Sequence, residues 1–129
     1  MERPGADAPT RILLVDDDEF VRDALGIALE TLGYDVIYAS DGRAALAEIA
    51  RQRPAAIVTD LQMPGMDGLA LLREMSIINR HVPVIVMSGG GPEALATARR
   101  LGAVATLAKP VMDGELASAI ERFRPAARD

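Results

Sequence analysis

The chain has 129 residues, with 14 Lys and Arg against 19 Asp and Glu, a formal charge of −5, one His and no Cys. That length fits one domain, which buries roughly two-thirds of its unfolded surface and can fold alone. The lack of Cys excludes a disulfide scaffold, a thiolate zinc site and a Cys nucleophile, and the acidic balance with four aromatics (Phe20, Tyr34, Tyr38, Phe123) argues against a nucleic-acid surface.

In chain order, residues 1–10 hold Pro, Gly and acidic residues with little to bury, and read as a mobile tail rather than a leader. Ile12 to Val15 is a short apolar run closed by three Asp. Phe20 to Leu32 carries apolar residues at 21, 25, 28, 29 and 32, a helical stripe stopped by Gly33. Asp35 to Ala39 reads as a strand, Arg43 to Arg51 as a helix ending before Pro54, and Ala55 to Thr59 as a buried strand. Asp60 follows, with a loop holding Pro64, Gly65 and Gly68. Leu69 to Ile78 reads as a helix and Val82 to Met87 as a strand. After Ser88-Gly89-Gly90-Gly91, Pro92 suits a first helical position, and that helix runs to Leu101 with Gly102 as its stop. Ala103 to Ala108 is a fifth strand, Lys109-Pro110 a turn, and Asp113 to Phe123 a last helix with Leu116, Ile120 and Phe123 on one face. Residues 125–129 read as a polar tail. The longest apolar runs, such as Val82 to Met87, are too short to span a bilayer. A soluble, cytoplasmic protein is expected.

Strands that alternate with helices and read as continuous apolar runs are the mark of a parallel α/β sheet covered on both faces. In such a sheet all carboxyl ends share one edge, where ligands bind. Asp16 and Asp17 follow the first strand, Asp60 the third, Ser88 the fourth and Lys109 the fifth, so the topology gathers them. Two carboxylates about 4 Å apart repel by roughly 4 kcal/mol at an effective dielectric near 20, and three need a cation or protons. Mg²⁺ suits this set, because it takes one or two carboxylates and keeps sites for water and phosphate oxygens. Lys109 offers a point charge and Ser88 a hydroxyl, both suited to phosphate oxygens, while the glycines beside Ser88 permit close approach. The inventory fits phosphoryl transfer, with Asp60, alone at its strand end, as the nucleophile.

The segments ILLVDDDEFVR (12–22), IVTDLQMPGMDGLALL (57–72), VPVIVMSGGG (82–91) and LAKP (107–110) together resemble the receiver domain of two-component response regulators, the CheY-like family. The resemblance runs from about Arg11 to Phe123, so the domain is placed at 11–124. It implies an α/β, flavodoxin-like three-layer sandwich with a five-stranded parallel sheet of order 2-1-3-4-5 and five helices. It further implies that Asp60 accepts a phosphoryl group from a histidine kinase or phosphotransfer protein. Asp16, Asp17 and the carbonyl of Gln62 would join Asp60 in holding Mg²⁺. Ser88 matches the switch hydroxyl and Lys109 the family lysine, whose bond to Pro110 is cis. Phosphorylation would alter a protein-binding face formed by the fourth helix, fifth strand and fifth helix.

Two positions depart from the family. Thr106 stands three residues before the lysine, where an aromatic gate is common. Gly90 stands two beyond the switch hydroxyl and leaves Gln62 as the main determinant of phosphate lifetime.

Plainer roles fit other residues. Asp18, Asp41, Asp67 and Asp113 read as helix caps, His81 as an exposed linker residue, and Met63, Met66, Met75, Met87 and Met112 as packing or loop anchors. Arg99, Arg100, Arg122, Arg124 and Arg128 read as a solvated face. With one His, the chain has no internal phosphohistidine pair, so a partner must supply the phosphoryl group. Six residues follow Phe123, which suggests a stand-alone regulator; a piece of a longer DNA-binding regulator is the alternative. A small Mg²⁺-dependent phosphatase of the haloacid dehalogenase type is a further alternative. It would use the D-x-D spacing of Asp16 and Asp18, with Asp16 as nucleophile.

Overall fold

A computed structural model describes residues 10–63, 65, 67–78 and 81–123, with the backbone alone for Asp113. Five strands and five helices alternate: β1 (Arg11–Val15), α1 (Glu19–Thr31), β2 (Asp35–Ala39), α2 (Gly42–Arg51), β3 (Ala56–Asp60), α3 (Gly68–Ile78), β4 (Val84–Ser88), α4 (Pro92–Arg100), β5 (Ala105–Ala108) and α5 (Asp113–Phe123). All pairings are parallel, in the order β2-β1-β3-β4-β5 that the resemblance implied.

The period-two geometry of a strand splits each apolar run between two cores. Leu13, Val15, Ile57, Val84 and Val86 face Ala45 and Ile49 of α2, Leu71 and Met75 of α3 and Ala98 of α4. Ile12, Leu14, Val58, Ile85 and Met87 face Leu25 and Leu29 of α1 and Leu116 and Ile120 of α5. Continuous burial therefore holds for the central strands β1, β3 and β4, where both faces are covered. It does not hold for β2 and β5, which are edge strands and only half-buried.

Helix ends follow local chemistry. Asp18 caps α1 by accepting from the N–H groups of Phe20 and Val21, Asp41 accepts from Ala44 at 2.8 Å, and Asp67 accepts from Ala70 at 2.9 Å. Asp113's side chain lies outside the description. Gly33 (φ 98°) and Gly102 (φ 112°) take the left-handed conformation that closes α1 and α4. Eight of the ten elements differ from expectation by one or two residues at an end, and three of them do so for a clear local reason. Leu32 falls outside α1 and is exposed, because its N–H turns back to Leu29. Strand β4 starts after Pro83, which has no N–H to give the ladder, and runs on through Ser88. Strand β5 starts at Ala105, because Ala103 N–H still serves Ala98 at the end of α4.

His81 is exposed, as expected, and so are Arg99, Arg100 and Arg122. Met63, Met75 and Met87 are buried, while Met112 is 65% exposed and packs no core. Phe123 is only half-buried, with the Arg122 guanidinium over its ring. Met66, Arg124 and Arg128 lie outside the described residues. So do both expected tails, apart from Thr10, whose carbonyl accepts from Asp35 N–H at 2.9 Å. No described helix is long and apolar enough to cross a membrane.

Candidate functional site

Strands β1, β3 and β5 carry their hydrogen bonding one step past their ends, and the polar residues at and just beyond the strand ends collect at one edge. Asp16 N–H donates to Ala39, Leu61 N–H to Met87 and Lys109 N–H to Ser88, at 3.1, 2.9 and 2.9 Å. Asp16 and Asp17, just after β1, and Asp60, the last residue of β3, thus offer carboxylate oxygens that all lie within 4.8 Å of one another. Asp16 and Asp60 are buried and Asp17 is exposed.

Lys109 Nζ bridges the buried pair, 3.3 Å from Asp16 Oδ2 and 3.1 Å from Asp60 Oδ2. Burial pushes the Asp60 carboxyl above its ordinary range; Lys109 opposes that shift and the Asp16 charge adds to it. Burial pulls the Lys109 ammonium down, but Asp16 and Asp60 outweigh it and hold its pKa above the ordinary lysine value. The Lys109–Pro110 bond is cis, as the resemblance implied.

The two buried carboxylates differ in what remains free. Asp16 Oδ1 accepts from Asp18 N–H at 2.9 Å, its Oδ2 faces Lys109, and its main-chain oxygen accepts from Arg22 Nη1 at 3.0 Å. Among the described residues, Asp60 Oδ1 is buried with no hydrogen-bond partner. A buried carboxylate oxygen without a partner is costly unless something outside the chain completes it. An all-oxygen donor set with such an orphan fits a hard divalent cation, Mg²⁺ above all. Asp18 stays outside this cluster, and its Oδ1 caps α1. The clustered carboxylates are therefore Asp16, Asp17 and Asp60, not the Asp16 and Asp18 pair of the phosphatase alternative.

Ser88 is buried; its Oγ accepts from Gly90 N–H at 2.9 Å and donates to Gln62 Oε1 at 3.5 Å. A Cβ at Gly90 would lie 2.3 Å from Gln62 Nε2, so the Gln62 carboxamide fills the space that a side chain at position 90 would need. Thr106 is half-buried on β5, paired with Val86, and its Oγ1 accepts from Arg99 Nη2 of α4 at 3.2 Å.

Sequence reasoning missed three contributors. Arg22 reaches a main-chain oxygen, which no side-chain pattern advertises. Thr59 is buried beside the nucleophile candidate and donates to the Asp60 carbonyl at 3.0 Å. Gly68 packs its Cα against the backbone of Asp60 and Leu61. A glycine opening a helix was the one available signal for the last of these.

Fold and site together define a doubly wound α/β protein with an acidic, phosphate-suited cluster at the carboxyl edge of its sheet. The family model for the response regulator receiver domain matches residues 12–121, and the chain belongs to that family, whose members serve two-component signalling. Among curated relatives, "Sporulation initiation phosphotransferase F" of Bacillus subtilis is 32% identical over 116 residues, covering 89% of this chain and 94% of that protein. "Transcriptional regulatory protein FixJ" of Bradyrhizobium diazoefficiens is 37% identical over 122 residues, covering 91% of this chain but only 60% of that protein. Among solved structures, a putative response regulator from Chloroflexus aurantiacus superposes with a TM-score of 0.86 at 30% identity, covering 90% of this chain and 98% of that one. A CheY-like receiver domain protein from Methanospirillum hungatei gives 0.84 at 29% identity, with 89% and 93% covered.

Proposed function

We propose that Asp60 accepts a phosphoryl group from a histidine kinase or histidine phosphotransfer protein, with Mg²⁺ held by Asp16, Asp17, Asp60 and the carbonyl of Gln62. The observation that carries this reading is the buried Oδ1 of Asp60, unpartnered among the described residues, beside two further carboxylates and one ammonium. An Asp60 oxygen attacks the phosphorus of the donor's phosphoimidazole. The P–N bond breaks, its electron pair stays on the imidazole nitrogen, and that nitrogen takes up a proton as the aspartyl phosphate forms. Lys109 neutralises phosphoryl charge and the Ser88 hydroxyl donates to a phosphoryl oxygen. Mg²⁺, when bound, offsets the negative charge of both the carboxylates and the phosphoryl group. The chain's own His81 precedes β4, at the amino ends of the strands and away from Asp60, which fits a donor supplied by another protein.

To reach the phosphoryl group Ser88 leaves Gly90 and Gln62. Thr106 lies on the same sheet face as Val86 and Ser88, so the Arg99–Thr106 bond is the point where that movement reaches the surface of α4, β5 and α5. A protein target reading that face is the output, and the site of action is the cytoplasm. The folded unit is residues 11–124, working alone or as the receiver part of a longer regulator such as the FixJ match.

Incubation with acetyl phosphate and Mg²⁺, followed by peptide mass spectrometry, tests the assignment. One phosphoryl group on Asp60 is expected, absent in Asp60→Asn and in EDTA; label on Asp16 with turnover of phosphoesters would overturn it. Gln62→Ala is expected to slow loss of that label several-fold, because the carboxamide occupies the space that a side chain at position 90 would take and is the polar group there able to orient an attacking water. An unchanged rate would remove Gln62 from that role.

A further inference from the structure

We infer that Arg22 is a positioning residue for the metal site, acting through the main chain of Asp16; this rests on the reading of Asp16, Asp17 and Asp60 as a Mg²⁺ site. Arg22 lies in the first turn of α1, half-buried, and is bound to the loop before it twice. Its N–H donates to the Asp18 carbonyl at 2.9 Å, and its guanidinium Nη1 donates to the Asp16 carbonyl at 3.0 Å. Asp18 in turn donates its N–H to Asp16 Oδ1. Residues 16–22 therefore form a closed hydrogen-bonded ring, and the two acidic side chains that leave β1 project from it.

The ring has a physical task. Like charges gathered within 4.8 Å push the β1–α1 loop away from β3, and a side chain anchored only by its own flexible torsions yields to that push. Lys109 opposes it at Asp16 Oδ2 but touches neither Asp17 nor the loop backbone in any ion pair of the described residues. Arg22 holds the backbone itself, through a charge-assisted donor on a helix that is packed into the core by Leu25 and Leu29. Such outer partners of a metal ligand set typically matter about 10-fold or more in affinity.

Electrostatics and positioning predict opposite signs, which makes the inference testable. Removing a positive charge near a cation site tightens cation binding if charge alone matters. Removing the anchor weakens it if geometry matters. Mg²⁺ affinity is measured by calorimetry on the wild type, Arg22→Met and Arg22→Lys, with the melting point of each in EDTA as the check on folding. Arg22→Met is expected to bind Mg²⁺ about 10-fold more weakly, and Arg22→Lys, which keeps a cationic donor, to recover most of the loss. Equal or tighter binding by Arg22→Met, or by Arg22→Gln should the methionine variant fail to fold, overturns the role of Arg22. A wild type that binds no Mg²⁺ overturns the reading of the site itself.

Discussion

Without metal, Asp60→Asn is expected to melt above the wild type, by about 5 °C or 1–2 kcal/mol for a chain of this size. Asp60 is 4% exposed, and one of its carboxylate oxygens has no partner among the described residues. Burial disfavours its charged form more than Lys109 favours it, so its pKa is raised on folding. An amide of the same shape carries no charge to desolvate, and its oxygen still accepts from Lys109. The sign with pH follows from linkage. A carboxyl whose pKa is higher folded than unfolded holds its proton more tightly in the native state. Wild-type stability from this group is therefore lost as pH rises from the ordinary carboxylate range, near 4, through the raised folded value, and is regained on acidification. The gap between Asp60→Asn and the wild type should be widest at neutral pH and should narrow on acidification. Thermal melts in EDTA across that range check both points. Mg²⁺ should close the gap from the wild-type side, because a ligand that binds only the native state stabilises it by mass action. A wild type more stable than Asp60→Asn in EDTA would mean that Lys109 outweighs burial.

Gly68→Ala is the second large effect, and it acts on the fold and the site together. A Cβ at that position would lie 2.5 Å from the Asp60 carbonyl oxygen and 2.8 Å from Leu61 Cα. Both obstacles are backbone, at the end of a buried central strand that has no room to retreat. Gly68 N–H also donates to the Leu61 carbonyl at 3.0 Å, so α3 starts pressed against the segment that carries Asp60. The added methyl should cost about 2–4 kcal/mol, more than a methylene inserted among adaptable side chains, and should shift Asp60 away from Asp16 and Asp17. Denaturant unfolding reads the first consequence and Mg²⁺-dependent labelling the second. By contrast, Gly33→Ala meets nothing within 4 Å and carries only the strain of φ 98°, so it should leave labelling intact.

The sheet edge was legible in the sequence because a parallel sheet turns strand order into spatial convergence. Asp16, Asp17, Asp60, Ser88 and Lys109 each follow an apolar run, and runs of that kind place their carboxyl ends side by side. The cap at Asp18 was legible for the same local reason that removed it from the metal cluster. What escaped was carried by main-chain atoms and by shape. Arg22 binds a carbonyl, a group that every residue has. Gly68 is required by the close approach of two backbones, and the Gln62 carboxamide fills a hollow that exists only because loops from β3 and β4 meet. The half-exposed edges β2 and β5 escaped as well, since Val36 and Ile37 are as apolar as residues of a central strand and only the sheet order leaves them at the side.

The claim beneath all of this is that three carboxylates from two strand ends form one cation site. Calorimetric titration of the chain with Mg²⁺, repeated on Asp17→Asn and Asp60→Asn, tests it most directly. One ion per chain is predicted for the wild type, with affinity falling at least about 10-fold in both variants, because each removes a carboxylate from the same ion. Undiminished binding in either variant, or two independent ions in the wild type, would contradict it.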